Sequence, residues 1–342
     1  MCADTYNSQT VAQPSAQKAS SPVVLFTSGL TKDYKNLRAV SNLNLSVNRG
    51  DVFGFLGPNG AGKTTTIRMI FGLTYPTSGY VQVLEHRLPQ ARVEALKHIG
   101  GFVDDPMFYN NMSARRNLRL LGAMNGSVSE ERISEVLEIV GLSDRDKSKV
   151  GSYSHGMRQR LGIGLALIHN PDVIVLDEPT SGLDPQGMKD VRELIRQLGA
   201  SGTTIFLSSH LLHEVELVCN RVAVMNKGHM VTQGAVSEIR PSGNAVKVMT
   251  SNQGKAMETI KAMSAVGGVR EDENYLVVNA SGDDFVPQMV RLLVAADVDV
   301  LAVVPTIHQG LEDMFLELTA SAENALHSQS APLIPEEGTI HG

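Results

Sequence analysis

The chain is short of several things, and each shortage removes a class of answers. Its 342 residues include no tryptophan, 5% aromatics and two cysteines, Cys2 and Cys219. Two thiols without CxxC spacing make neither a disulfide framework nor a thiolate metal site. Cys219 stands among Val215, Leu217, Val218 and Val222, the setting of a buried, inert thiol. Cations are in the minority, with 30 Lys plus Arg against 36 Asp plus Glu and a formal net charge of −6. With no basic block to neutralise a phosphate backbone, nucleic acid is not expected as a partner. Long apolar runs are missing too. The nearest approach, Val290 to Val304, is interrupted by Asp297 and Asp299 and falls short of the ~20 residues a membrane span needs. Residues 1–21 lack the cationic start and apolar stretch of a signal peptide, so a cytoplasmic location is expected.

What is present is ordinary globular composition, 42% hydrophobic and 19% charged, at a length that fits two domains. Residues 1–21 and 321–342, rich in small and polar types, are expected to be disordered. From 22 to 240, strand and helix signals alternate. Val23–Thr27 and the alternating Val40, Leu43, Leu45 and Val47 read as early strands, on an antiparallel edge. Val52–Leu56, Val173–Leu176, Thr203–Leu207 and Val222–Met225 are short apolar runs, the pattern of strands buried on both faces. A helix is expected from Lys63 to Phe71, and Ser127-Val-Ser-Glu130 reads as a capping box before Ile133, Val136, Leu137 and Val140. Such alternation predicts an α/β domain around a largely parallel sheet. After Pro241-Ser-Gly243 the order becomes strand 245–250, helix 255–263, strands 266–270 and 275–279, helix 284–295, strand 298–304 and helix 310–319. That order, βαββαβ over 244–320, is ferredoxin-like α+β. It carries no Gly-rich loop or metal cluster and reads as a regulatory or dimer-stabilising appendage.

The chemistry concentrates earlier. Gly57-Pro58-Asn59-Gly60-Ala61-Gly62-Lys63-Thr64, followed by Thr65, fits GxxxxGK[ST] between a strand and a helix. Glycines there let backbone N–H groups turn inward around phosphate oxygens at a helix N-terminus. Lys63 is placed for the β- and γ-phosphates and Thr64 for Mg²⁺. Val173-Ile-Val-Leu-Asp177-Glu178 is an apolar strand ending in two carboxylates with separable roles, Asp177 toward the metal and Glu178 as general base for the attacking water. A GTPase needs Asn-Lys-x-Asp to read guanine, whereas Asn226-Lys-Gly-His229 lacks the carboxylate. His210-Leu-Leu-His213-Glu214 matches neither zincin order.

Tyr153-Ser154-His-Gly156-Met-Arg158-Gln-Arg160 begins as a capped helix. Together with the phosphate loop and the Asp177-Glu178 strand, it resembles the signature sequence of ABC-transporter ATPases. The usual form is Leu-Ser-Gly-Gly-Gln; this chain has His155 for the first glycine and Met157 for the glutamine. The resemblance covers about residues 23–240 and implies a P-loop ATPase domain with a helical insert at about 105–165. It implies that Tyr34 stacks on adenine, that Pro179–Asp184 is the D-loop, and that His210 is the switch histidine at the γ-phosphate. Ser154 and Gly156 are expected to cover the nucleotide held by a second copy, so that a homodimer clamps ATP and Mg²⁺ at two sites. The loop glutamine that touches metal and membrane partner is replaced by Asp104, or by Asp105, in Ile99–Pro106. Residues 101–118 look like the bacitracin- and drug-resistance exporters of the family, with Phe108 and Tyr109 either core or part of a groove for a coupling helix. The function implied is ATP hydrolysis powering export through separate transmembrane permease subunits, from the inner face of the membrane. Two rivals remain: a soluble mechanical or regulatory ATPase of the same fold, disfavoured by the acidic charge, and a non-catalytic nucleotide module, disfavoured by intact Lys63, Asp177, Glu178 and His210.

Overall fold

The computed structural model describes residues 22–239, 244–263, 266–272, 274–280 and 285–305. Residues 1–21 and 321–342 and the helix expected at 310–319 lie outside them. The chain opens with two long strands, β1 (Val23–Tyr34) and β2 (Leu37–Asn48), followed by β3 (Val52–Leu56), α1 (Lys63–Ile70), β4 (Ser78–Val83) and β5 (His86–Leu88). The alternation expected for the early strands is real, but they are not an edge of the parallel sheet. They form a separate antiparallel sheet of order β2-β1-β4-β5, and β1 runs seven residues beyond Thr27. The chain then passes through α2 (Arg92–Lys97) into β6 (Ile99–Phe102) and three helices, α3 (Ala114–Gly122), α4 (Glu130–Ile139) and α5 (His155–Leu167). It returns through β7 (Val173–Leu176), α6 (Pro185–Ala200), β8 (Ile205–Ser209), α7 (Leu212–Val218) and the hairpin β9 (Arg221–Asn226)–β10 (His229–Ala235), ending in α8 (Val236–Ile239).

A six-stranded sheet of order β10-β9-β3-β8-β7-β6 lies at the centre, parallel except for the β9–β10 hairpin. Its strands alternate between two apolar clusters. Val52, Leu56, Ile174, Leu176, Ile205, Leu207, Val222 and Val224 join one; Phe53, Phe55, Val173, Val175, Phe206, Ala223 and Met225 join the other. Burial on both faces is what makes these runs continuously apolar. Gly54 is needed for packing, because a Cβ there would sit 2.3 Å from Cγ1 of Val215. Helices α3, α4 and α5 add Leu118, Ile133, Val136, Leu161 and Ile163 to the first cluster. Cys219 is buried in the same cluster, near Gly54, and burial pushes its thiol far up, which leaves it unreactive.

Several boundaries differ from the sequence pattern, and for two of them the structure shows the cause. The N-cap of α4 is Ser129, whose hydroxyl accepts from Arg132 N, rather than Ser127. Val128 packs against the core just before the cap and Ile133 follows at the fourth helical position, the arrangement of a hydrophobic staple. Strand β8 is shifted two residues onward, because Thr204 Oγ1 accepts from Gly50 N while pairing continues through Ser208 and Ser209.

At the N-terminal ends of the parallel strands, Asp172 accepts from Arg49 (2.5 Å) and sits 2.7 Å from His98 Nδ1. Burial pushes this carboxyl up, but the bonds from Arg49 and His98 outweigh it and hold it below its usual range.

The remaining elements are β11 (Asn244–Thr250), α9 (Gln253–Lys261), β12 (Val266–Asp272), β13 (Tyr275–Ala280), α10 (Phe285–Ala295) and β14 (Val300–Pro305). The sheet order β12-β13-β11-β14, antiparallel throughout, is the split-βαβ arrangement. Ala256 and Ile260 of α9 and Phe285, Met289 and Leu293 of α10 share a core with Val246, Val248, Leu276 and Val278. Among the described residues no helix is long and apolar enough to cross a membrane.

Candidate nucleotide site

The loop from Gly57 joins the C-terminal end of β3 to α1. Its N-cap is Gly62 at φ +105, where a Cβ would lie 2.4 Å from the Ala39 carbonyl, so only glycine fits. No side chain caps α1 and its first turn has no acid. The N–H groups that a helix start leaves without partners are therefore open to an anion. The tip of the β9–β10 hairpin braces the loop: Gly228 N donates to Ala61 O (3.0 Å), and Ser41 N of β2 donates to Gly228 O (2.8 Å).

Lys63 is 5% exposed, and its Nζ donates to the Gly57 (2.7 Å) and Pro58 (3.2 Å) carbonyls. It also lies 3.1 Å from Glu178 Oε1, while Glu178 Oε2 is 2.7 Å from His210 Nδ1. Three residues far apart in sequence thus form one row, joined by an ion pair at one end and a hydrogen bond at the other. Strand β7 ends at Leu176, and Glu178 sits in the left-handed region at φ +48. A backbone turn, rather than strand alternation alone, separates it from Asp177. Asp177 is buried, and its Oδ1 accepts from Ser208 Oγ (2.6 Å), which in turn accepts from Glu178 N (2.9 Å).

A cleft of about 690 Å³ is lined by Tyr34, Asn59, Gly60, Gly62, Lys63, Thr64, Thr65, Glu178 and His210. Gly57, Pro58 and Ala61 support its floor through the backbone bonds given above. Ser181 of the Pro179–Asp184 segment and Lys227 of Asn226–His229 also line it, together with Leu37, Arg38 and Ala39, which the sequence patterns had not marked. Arg38 could have been suspected from Asp33, five residues away, which it grips with two bonds (2.8 and 3.1 Å). Ser208 is the more consequential omission. In sequence it was only the approach to His210, whereas in space it hydrogen-bonds both Asp177 and Glu178.

The donor set suits a hard cation. Thr64 and Asp177 offer oxygen ligands only, as Mg²⁺ prefers. Among the described residues no group of three or more His, Cys, Asp or Glu could hold a metal alone, which fits an ion completed by phosphate oxygens and water. Asp104 does not join them. It lies at φ +59 on an exposed loop, its Oδ2 accepts from Arg68 (3.1 Å), and it is absent from the cleft wall. Asp104, expected at the metal, has its carboxylate turned to Arg68 instead in this arrangement.

The signature segment lies elsewhere. Ser154 caps α5, its Oγ accepting from Met157 N (3.2 Å), and Gly156 approaches Gly187 so closely that a Cβ would be 3.2 Å from its Cα. Tyr153 anchors the approach: its hydroxyl donates to Arg145 O (2.7 Å), and burial holds the phenol above its usual range. Neither Ser154 nor Gly156 lines the cleft. Asp184 caps α6 by accepting from Gly187 N (3.2 Å). Phe108 packs against the core, whereas Met107 and Tyr109 are exposed.

The profile of the ABC transporter family matches residues 40–181. The bacitracin transport ATP-binding protein BcrA of Bacillus licheniformis is 38% identical over 299 residues, covering 86% of this chain and 97% of its own length. The linearmycin resistance ATP-binding protein LnrL of Bacillus subtilis (strain 168) is 33% identical over 305 residues, covering 86% and 98%. Among solved structures, the ADP conformation of the ATP-binding cassette MJ1267 superposes with TM-score 0.58 at 27% identity, covering 64% of this chain and 93% of that one. A dimeric post-hydrolysis state of the cassette MJ0796 with ADP and Pi gives 0.55 at 25%, covering 62% and 98%. With the Lys63–Glu178–His210 row at the mouth of a phosphate loop, these likenesses place the chain in a family: it belongs to the ATP-binding proteins of ABC transporters, and it is an ATPase.

Proposed function

We propose that the chain is the motor subunit of an exporter whose membrane-spanning permease is made of separate chains, and that two copies work as a homodimer. The observation that carries this reading is the division of the site: Lys63, Glu178 and His210 converge on the cleft, whereas Ser154 and Gly156 stand outside it.

Within one copy, the amides after Gly57 and the ammonium of Lys63 hold the β- and γ-phosphates, Tyr34 stacks on the base, and the cleft orients the chain of phosphates. Mg²⁺, held by Thr64 and Asp177, would neutralise phosphate charge. Glu178 orients a water toward the γ-phosphorus and takes its proton as the new P–O bond forms and the bond to the ADP oxygen breaks. His210, bonded to the same carboxylate, fixes its direction and faces the phosphate. The far side of the γ-phosphate is covered by the Ser154 hydroxyl and the amides at the start of α5 from the second copy. ATP therefore joins the two copies, and cleavage removes the shared contacts and lets them part.

The names of BcrA and LnrL, bacitracin transport and linearmycin resistance, support efflux of a drug, antibiotic, peptide or lipid. The workplace is then the inner face of the membrane, with the permease as the attachment. The test is light scattering of Glu178→Gln at saturating ATP and Mg²⁺. The expected result is a stable dimer carrying uncleaved ATP, and a species that stays monomeric under those conditions overturns the clamp.

A further inference from the structure

Where the family's signature has its first glycine, this chain has His155, and its ring is engaged on both sides. Nε2 lies 3.1 Å from Asp105 Oδ1, and Nδ1 lies 3.3 Å from the Gly182 carbonyl. A carboxylate and a carbonyl only accept, so the nitrogen that carries the proton is the donor, and which of the two contacts it makes depends on the tautomer. Gln159, one turn along α5 and 2% exposed, donates from Nε2 to the same Asp105 oxygen (3.0 Å). Gly182 sits at φ +69, and a Cβ there would meet the His155 ring at 3.4 Å, so the loop is seated directly on the imidazole.

These contacts tie the loops that follow the paired strands β6 and β7 to the start of α5. Asp105 belongs to the loop after β6, which continues into exposed Met107 and Tyr109. Gly182 belongs to the loop after β7, four residues beyond Glu178 and next to Ser181 on the cleft wall. His155 itself follows Ser154. We propose that His155 is a positioning residue: it is a strut holding the Asp105 loop to the Glu178–Gly182 loop, and it sets the stance of both the general base in its own copy and the Ser154 cap offered to the other. The inference rests on the proposed clamp and extends it, since it assigns to this chain a coupling link made of His155 and Asp105, two side chains at places where the family pattern has others.

The experiment is steady-state ATP turnover by the full chain carrying His155→Ala, Asp105→Ala, both together, or Asp105→Asn. Each single alanine variant is expected to lower kcat about tenfold while KM for ATP stays within about twofold, because the phosphate cradle is untouched. The double variant is expected to be no slower than either single one, since both remove the same link. Asp105→Asn keeps an acceptor oxygen and is expected to restore most of the rate. Asp105 is 74% exposed in its side chain, so its variants fold even if those at His155 do not. Additive losses, a KM effect without a kcat effect, or wild-type turnover in Asp105→Ala would each overturn the strut. An unaltered chain that turns over no ATP would instead remove the enzymatic reading, and the strut would fall with it.

Discussion

The two halves of the nucleotide machinery are built differently within one chain. The cradle is finished: Lys63, Glu178, His210, Asp177 and Ser208 satisfy one another through bonds of 2.6 to 3.1 Å. The signature end is equally ordered, with Ser154 capping α5 and Gly156 pressed on Gly187, yet its hydroxyl side faces nothing in its own cleft. The difference teaches where chemistry ends and assembly begins. A site whose groups bond to each other is poised for its substrate, while the start of α5, ordered and with no acid in its first turn, is the part that the proposed homodimer would turn toward the other copy's nucleotide.

The sharpest way to break the contrast is at the base. Glu178→Gln is expected to reduce turnover about a thousandfold with nucleotide binding retained, read by phosphate release and by equilibrium binding. Next comes Ser154→Asp, which keeps a good N-cap but presents an anion to the neighbouring copy's phosphate. Its turnover is expected to fall about a hundredfold. Mixing that variant with Lys63→Ala should restore turnover that neither shows alone, because one composite site of the mixed dimer is then intact. Tyr34→Ala should raise KM for ATP about tenfold with little change in kcat, in line with about 1–3 kcal/mol for one base–aromatic stack.

The smallest effect is expected at the opposite end of the strands, away from the cleft. Because the Asp172 carboxyl is held below its usual range, its contribution to stability is full above the unfolded value near ~3.9 and is lost as pH falls through the folded one. Asp172→Asn should flatten that acid limb in melting curves from pH 6 to 3 (a range set by the experimenter, roughly spanning the carboxylate titration) and leave turnover unchanged.

Much of this was legible in the sequence because the signals were local. The phosphate loop needs its glycines at fixed offsets between a strand and a helix, and the strands buried on both faces advertise themselves as unbroken apolar runs. The split-βαβ order was legible for the same reason, since α9 and α10 each keep one apolar stripe. What escaped was set by distance in space. Ser127 and Ser129 both satisfy a cap pattern, and only the burial of Val128 against the core decides for the second. Asp104 and Asp105 are adjacent and chemically alike, but one is turned to Arg68 and the other to His155. Ser208 reads as a residue between a strand and His210 until Asp177 and Glu178 are seen to share it.

The left-handed backbone at Glu178 bears on how such a protein drifts. For any residue with a Cβ, that conformation costs roughly 1–2 kcal/mol, and glycine or asparagine relieves much of it. Glycine there would gain that relief but strip His210 and the buried Lys63 of their shared carboxylate, whereas an amide keeps a hydrogen-bond partner for both and still silences the motor. A copy released from the need to hydrolyse ATP should therefore drift first to an amide at this position, keeping the fold while losing the base.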